Sequence, residues 1–228
     1  MTIKKLLKII PVIIFLVFPF HAFGQKSNVE TYDAVVTKFW NDLYLSGGWT
    51  LYCGYKFDYT HKTKGGKVIT IEQIYPSAWM IKYLKCKSRM QCRQSDEGRF
   101  ISMEADLHNM YPVWRTIYNT RRDARFGIID GEYWRFDDCD FERKLGITEP
   151  RPIARGNIAR AIFYMNKEYG VPMDEKLLVI LKRWNREDPP STQEKRRNNM
   201  IERIQGKRNP YVDNPALAEK LIMSQAEK

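Results

Sequence analysis

Two segments of the chain carry polar side chains whose chemistry can be judged from residue type. The first is a run of apolar and β-branched residues that starts at Val68 and ends in Glu72 and Gln73. The second follows Pro112 and brings Tyr118. A glutamine amide cannot accept a proton near neutral pH, although it can orient a water molecule. A phenol is a poor ligand for Mg²⁺, because hard cations prefer carboxylate, carbonyl and water oxygens. Glu72 alone would therefore hold such a cation weakly.

The charge of the chain suggests an anionic partner. It has 38 Lys and Arg against 27 Asp and Glu, a formal net charge of +11. Part of this charge lies in one segment that encloses two cysteines, and its cations are Lys82, Lys85, Lys87, Arg89 and Arg93. A basic surface of this kind can bind nucleic acid, anionic lipid or acidic glycan, or it can simply be solvated. Charge alone leaves these possibilities open.

The first 24 residues have the pattern of an export signal. Three lysines are followed by the apolar run from Ile9 to Phe20 and then by small residues around Ala22 and Gly24. The run is too short for a comfortable membrane span, so we expect cleavage before Gln25 and no stable membrane insertion of the product. An uncleaved anchor is the alternative. Removal of three lysines lowers the net charge from +11 to +8. The product would be periplasmic or secreted.

The cysteines fit an exported protein. The four that follow the leader are Cys53, Cys86, Cys92 and Cys139, and an even number in an oxidising compartment predicts two disulfides. No CxxC pair is present, so their spacing does not resemble a zinc site.

Local patterns predict an α+β fold. A first helix is expected from Ser27 or Asn28 to about Leu45, on apolar residues at helical spacing. Two strands, Trp49–Gly54 and Val68–Gln73, are expected to pair. Further helices are expected at Ser77–Lys85, from Pro112 to about Arg122, and in the C-terminal third at 155–169, after Asp174 and after Ser191. We predict one mostly helical domain over residues 25–228, with its core at about 29–213.

Several segments in order resemble the endonuclease I family of bacterial secreted and periplasmic nucleases. They are Trp49–Gly54, Ile71–Pro76, Met103–Pro112, Arg155–Arg160, Trp184–Asn185 and Gln205–Pro210. The resemblance implies a ββα-metal core, in which two strands and a helix hold one divalent metal, Mg²⁺ or another. It also implies hydrolysis of phosphodiester bonds in DNA and often RNA, with little sequence preference.

The resemblance also assigns roles to individual residues. Glu72 matches the metal-holding glutamate, and Arg89 the arginine that steadies the phosphate. Gln73 stands where the family has its general-base histidine, and Tyr118 where it has a metal-binding asparagine. Asn119 is the next residue, about 100° around a helix, and could serve if the helix rotated. Arg121 matches the end of the helix motif, and the implied disulfides are Cys53–Cys139 and Cys86–Cys92.

These substitutions lead to three hypotheses for a monomeric exported protein. The first keeps non-specific binding of DNA or RNA through Arg89, Lys85, Lys87 and Arg121, with cleavage lost or weakened, because loss of a general base costs ~10²–10⁴ in rate. The second is an active endonuclease in which Gln73 orients water. The third is a basic binding protein whose partner is not nucleic acid.

Overall fold

The computed structural model describes residues 30–95 and 98–222. The predicted leader, residues 1–24, lies outside these residues, as do Ser27 and Asn28, the expected caps of the first helix. None of the described helices is both long and apolar enough to cross a membrane.

The described residues form nine α-helices and seven strands. The helices are α1 Tyr32–Lys38, α2 Ser77–Tyr83, α3 Arg89–Ser95, α4 Arg99–Glu104, α5 Arg115–Arg121, α6 Pro152–Tyr169, α7 Glu175–Glu187, α8 Thr192–Gln205 and α9 Pro210–Asp213. The strands are β1 Gly48–Trp49, β2 Lys56–Phe57, β3 Ile69–Gln73, β4 Met110–Trp114, β5 Arg125–Phe126, β6 Phe141–Lys144 and β7 Ile147–Pro150. The predicted α+β class, mostly helical with small sheets, is confirmed.

The centre of the fold is an antiparallel pair, β3 and β4, followed at once by α5. Ile71 lies opposite Pro112 and Glu72 opposite Tyr111. The prediction that Pro112 opens a helix is therefore wrong, because the helix begins only at Arg115. Proline fits here because it has no N–H to donate, and the described chain adds no further strand to this two-stranded sheet on the side of β4 away from β3. The Pro112 carbonyl on that side accepts a hydrogen bond from Leu51 N at 2.9 Å.

The strand expected over Trp49–Gly54 is also mostly absent. Only Gly48–Trp49 is extended, and it pairs with Lys56–Phe57 rather than with β3. The chain turns between them, where Gly54 N donates to Thr50 O at 2.9 Å. Residues of high strand propensity thus form a buried turn here, because packing outweighs local preference.

The helical C-terminal third matches its prediction closely. Asp174 caps α7 through Leu177 N, and Ser191 caps α8 through Glu194 N. Gly206 ends α8 in the left-handed conformation that glycine adopts freely. Helices α6 and α7 contribute a large share of the main core, with Trp184, Phe163 and Ile162 fully buried.

Both disulfides have the expected pairing. Cys53 is joined to Cys139, and Cys86 to Cys92. The first links the turn after β1 to the segment before β6, which belongs to the mixed sheet β5-β7-β6. The second closes a short basic loop that includes the start of α3, since Cys92 lies within that helix.

Candidate active site

A cavity of about 630 Å³ opens where β3 ends beside α5. Its walls include five residues singled out from the sequence: Glu72, Gln73, Arg89, Tyr118 and Asn119. Residues from a strand, a helix and the disulfide loop thus meet at one place, as the ββα arrangement requires. Lys85 and Lys87 are exposed on the same loop as Arg89 but do not line the cavity.

The end of β3 is held in place by hydrogen bonds on both sides. The amide of Asn109 accepts from Tyr75 N at 2.7 Å and donates to Tyr75 O at 2.9 Å. Arg121, on the last turn of α5, donates to Gln73 O at 3.1 Å and to Ile74 O at 2.8 Å. Strand and helix are therefore tied together directly beneath the cavity, which fixes the positions of Glu72 and Gln73.

Glu72 is paired with a cation of the protein itself. Its Oε1 accepts a hydrogen bond from Arg121 Nη1, and both side chains are almost fully buried. Arg121 has no exposed surface, so it offers no atom to a nucleic acid in this conformation, in contrast to the expected contact. Whether an arginine at the end of a helix faces solvent depends on packing that the sequence alone does not reveal.

The Glu72–Arg121 pair is incompletely satisfied. Glu72 Oε2 and Arg121 Nε are both buried without a hydrogen-bond partner. Burial raises the pKa of Glu72 to about 7, against the opposing effect of the Arg121 charge. The carboxylate that the resemblance assigns to a metal is therefore costly to ionise, and part of its charge is already balanced.

Gln73 is anchored through its amide nitrogen. Gln73 Nε2 donates to Glu104 O at 2.7 Å, which uses one of its donors and fixes the side chain at the cavity wall. An amide has no basic atom near neutral pH. At this position it can orient a water molecule through its oxygen, but it cannot take a proton from that water.

Arg89 is held by a buried acid. The carboxylate of Glu104, at 0% side-chain exposure, pairs with Arg89 and also with Arg93, which donates to it at 2.7 Å. The Arg89 guanidinium also lies over the ring of Tyr32 at 5.2 Å, and Tyr32 lines the cavity. Two arginines share one carboxylate, so one positive charge remains at the cavity edge.

Tyr118 and Asn119 lie on the exposed face of α5. Tyr118 is 43% exposed, and both residues line the cavity. The helix therefore does present Asn119 to the space beside Glu72, as well as the phenol that replaces the expected asparagine.

The sequence did not single out two charged residues of the cavity. Arg122 and Asp123 follow the end of α5, line the cavity and are both exposed. Arg122 has a positive φ of 53°, which turns the chain back toward the cavity. Trp79 Nε1 then donates to Asp123 O at 2.9 Å. No local signal predicts this turn, because arginine seldom adopts that conformation.

The oxygen-bearing side chains that line the cavity do not fit a firmly held divalent metal. Glu72 has one oxygen engaged by Arg121 and the other shut away from solvent, while Tyr118 offers a phenol. Further oxygen ligands at the cavity belong to Asn119 and Asp123, and both of these residues are exposed. Within the described ranges, the one group of three acidic or imidazole side chains close enough to share an ion lies elsewhere.

Comparison with known proteins gives a consistent picture. The family model described as Endonuclease I matches residues 26–216. An extracellular deoxyribonuclease of Aeromonas hydrophila is 30% identical over 83% of this chain and 91% of its own length. A periplasmic deoxyribonuclease of the same species is 29% identical over 83% and 88%. An extracellular ribonuclease of Bacillus amyloliquefaciens is 30% identical over 51% and 46%.

Proposed function

The chain belongs to the endonuclease I family, and on that premise we propose that it is an exported protein that binds nucleic acid without sequence preference and in which metal-dependent hydrolysis is lost or much weakened. The observation that carries this proposal is the buried ion pair between Glu72 and Arg121. It puts a fixed guanidinium against the carboxylate to which the resemblance assigns the metal.

The electrostatic argument concerns competition for one carboxylate. A divalent cation at Glu72 would lie near the Arg121 guanidinium, which is fully buried and held by two backbone carbonyls. Like charges in a poorly solvated place repel strongly. The metal would also need oxygen ligands that Tyr118 does not supply. Weak metal binding follows, and with it weak neutralisation of a scissile phosphate.

The proton-transfer argument concerns Gln73. Activation of a water molecule needs a group that takes its proton, and general-base catalysis typically contributes ~10²–10⁴-fold. The Gln73 amide cannot do this. His108 does not replace Gln73 as a base. It is buried, its Nε2 is hydrogen-bonded to Lys207 O at 3.0 Å, and burial lowers its pKa to about 4.

The binding half of the proposal rests on cations at the cavity edge. Arg89 and Arg122 line the cavity, and Lys85 and Lys87 are exposed on the disulfide loop beside it. Lysine and arginine contacts to phosphates release condensed counterions, which favours binding whatever the base sequence. Curated relatives named deoxyribonuclease and ribonuclease support nucleic acid as the polymer.

A second candidate is a working Mg²⁺-dependent endonuclease. It is favoured by the unpartnered Oε2 of Glu72 and by the presence of Gln73 and Asn119 at the same cavity. In that case Gln73 orients the attacking water and Asn119 completes the metal shell, in a family that is generally dependent on divalent metals.

Two assays on the mature protein separate these candidates. Supercoiled plasmid is incubated with Mg²⁺, with and without EDTA, and DNA binding is followed by fluorescence anisotropy as salt rises. We expect little EDTA-sensitive nicking, together with binding that falls steeply with salt. Strong EDTA-sensitive nicking favours the second candidate. Absence of binding at low salt favours a basic protein whose partner is not nucleic acid.

A further inference from the structure

Three carboxylates converge outside the cavity, around the mixed sheet. Glu132 lies in the segment between β5 and β6, Asp140 follows the disulfide-bonded Cys139, and Glu142 belongs to β6. One oxygen from each of the three acids lies within 4.8 Å of the others. The Cys53–Cys139 bridge ties the residue next to Asp140 to the turn after β1, while Glu132 reaches the cluster from the loop that precedes the bridge.

Glu142 is the buried member of this cluster. It is 5% exposed, and its Oε1 is buried without a hydrogen-bond partner. Across the sheet it faces Glu149, a second carboxylate in direct register. Like charges placed opposite each other on neighbouring strands are destabilising, and a buried carboxylate oxygen without a partner is costly as well.

Two arginines near Asp140 are engaged by other groups. Arg155 pairs with Glu149 at 2.6 Å and donates to Pro150 O at 2.9 Å. Arg151 donates to Leu51 O at 3.0 Å. Burial and the neighbouring acids raise the pKa of Asp140 and of Glu142. Three ionised acids here would carry three negative charges, and in the described part of the chain none of the three carboxylates has an ion-pair partner.

We propose that Glu132, Asp140 and Glu142 form a binding site for a calcium ion, distinct from the cavity beside Glu72. The ion supplies the positive charge that the buried Glu142 oxygen lacks. It also joins β6 to the segment that carries Cys139. The site has a stabilising role that is independent of any nuclease chemistry.

The choice of calcium follows from ligand type. Calcium takes six to eight oxygen ligands in flexible geometry, and several carboxylates can share its shell with water. Magnesium demands a near-ideal octahedron and is usually bound through one or two carboxylates while it keeps several waters. Three carboxylate oxygens that all lie within 4.8 Å of one another suit the larger and more adaptable ion. Water molecules would complete its shell on the exposed side of Glu132.

Thermal unfolding and terbium luminescence test the site in the full mature protein. The protein is stripped with EDTA and titrated with Ca²⁺, and Tb³⁺ emission is excited through Tyr133 and Trp134, which are exposed on the same segment. At a Ca²⁺ concentration about 100-fold above the dissociation constant we expect the unfolding temperature to rise by about 5–10 °C. Terbium emission should fall as Ca²⁺ displaces it.

Three variants make the test specific. Glu142→Gln and Asp140→Asn remove one ligand each and should weaken Tb³⁺ binding at least ~10-fold, since even outer-shell partners of metals are worth that much. The matched control, Glu72→Gln, changes a buried carboxylate beside the cavity and should leave the Ca²⁺ effect intact. Asp140 is only partly buried, so Asp140→Asn keeps the test valid if Glu142→Gln folds poorly. No Ca²⁺ shift in the unaltered protein, or an equal shift in Asp140→Asn, would overturn the proposal.

Discussion

Among the described residues, two buried arginine–glutamate pairs have the same chemical type and different quality. Arg160 makes two hydrogen bonds to Glu194, at 2.7 and 2.5 Å, and its remaining nitrogen donates to Asn185 Oδ1 and Asp188 O. Arg121 contacts Glu72 through one nitrogen, and each partner keeps a buried polar atom without a hydrogen bond. The first pair lies among the C-terminal helices, and the second beneath the cavity.

The difference between the pairs separates scaffold from site. A buried charge pair is tolerated at low cost only when its geometry is good and its remaining polar atoms are satisfied. The Arg160–Glu194 pair meets this condition and joins α6 to α8. The Arg121–Glu72 pair does not meet it. A buried polar atom without a hydrogen bond calls for an explanation, and a functional role is one such explanation. Four predictions sharpen or break this contrast.

The largest effect is expected from Arg160→Met. The change leaves the Glu194 carboxylate buried without its partner, which typically costs about 3–5 kcal/mol. Urea unfolding monitored by circular dichroism measures the loss. Arg121→Met should cost less, because Glu72 can take a proton when its cation is removed. A loss for Arg121→Met equal to or above that for Arg160→Met would contradict the contrast.

The second effect is a pH dependence that belongs to Glu72. Its folded pKa of about 7 lies above the ordinary value of 4.5, so the protonated carboxyl contributes stability that is present below about pH 4.5 and is lost as pH rises through 7. Glu72→Gln cannot lose a proton. The free energy of unfolding of the unaltered protein should therefore fall, relative to the variant, by on the order of 3 kcal/mol between about pH 4.5 and 8. Parallel pH curves for the two proteins would rule this out.

The third effect concerns binding rather than stability. Changing Lys85 and Lys87 together to glutamate should weaken DNA binding roughly tenfold or more, and lower the salt slope by about one for each phosphate that the variant no longer neutralises. The matched control changes Lys176 and Lys195, which are exposed on α7 and α8, to glutamate. Arg121→Met should leave the slope unchanged, because Arg121 is buried. Equal weakening by both double variants would show that only net charge matters.

The smallest effect is expected at an exposed pair. Arg183 and Glu187 lie one helical turn apart on α7, with 60% and 48% of their side chains exposed. Such pairs are worth about 0–1 kcal/mol. Arg183→Ala should change the free energy of unfolding by less than about 1 kcal/mol, measured by the same urea method. A loss comparable to that of Arg160→Met would mean that burial does not distinguish the pairs.

Much of the scaffold was predictable because its signals are local. Asp174, Ser191 and Gly206 mark helix ends through their own backbone and side-chain chemistry, and the structure places caps at all three. Pro112 misled the prediction because proline suits both a first helical turn and a position in a strand with one partner. Its actual place was decided by pairing with Ile71, a contact that no local pattern encodes.

The resemblance placed several candidate residues at one cavity but did not predict the electrostatics there. The resemblance brought Glu72, Gln73, Arg89 and Asn119 together, and all four line one cavity. It did not reveal that Arg121 lies inside the protein against Glu72, because burial of a charged side chain depends on the whole fold. The carboxylate is therefore the residue whose role changes most between sequence and structure.

The central claim is tested most directly by plasmid nicking across a Mg²⁺ titration with four forms of the protein. They are the unaltered chain, Gln73→His, Tyr118→Asn and the double variant. We predict little EDTA-sensitive nicking by the unaltered chain and little recovery by Gln73→His, since a base acts poorly on an unneutralised phosphate. Tyr118→Asn should improve metal binding more than rate. The double variant should recover more than the product of the two single effects, because residues of one catalytic unit act non-additively. Strong EDTA-sensitive nicking by the unaltered chain would contradict the account.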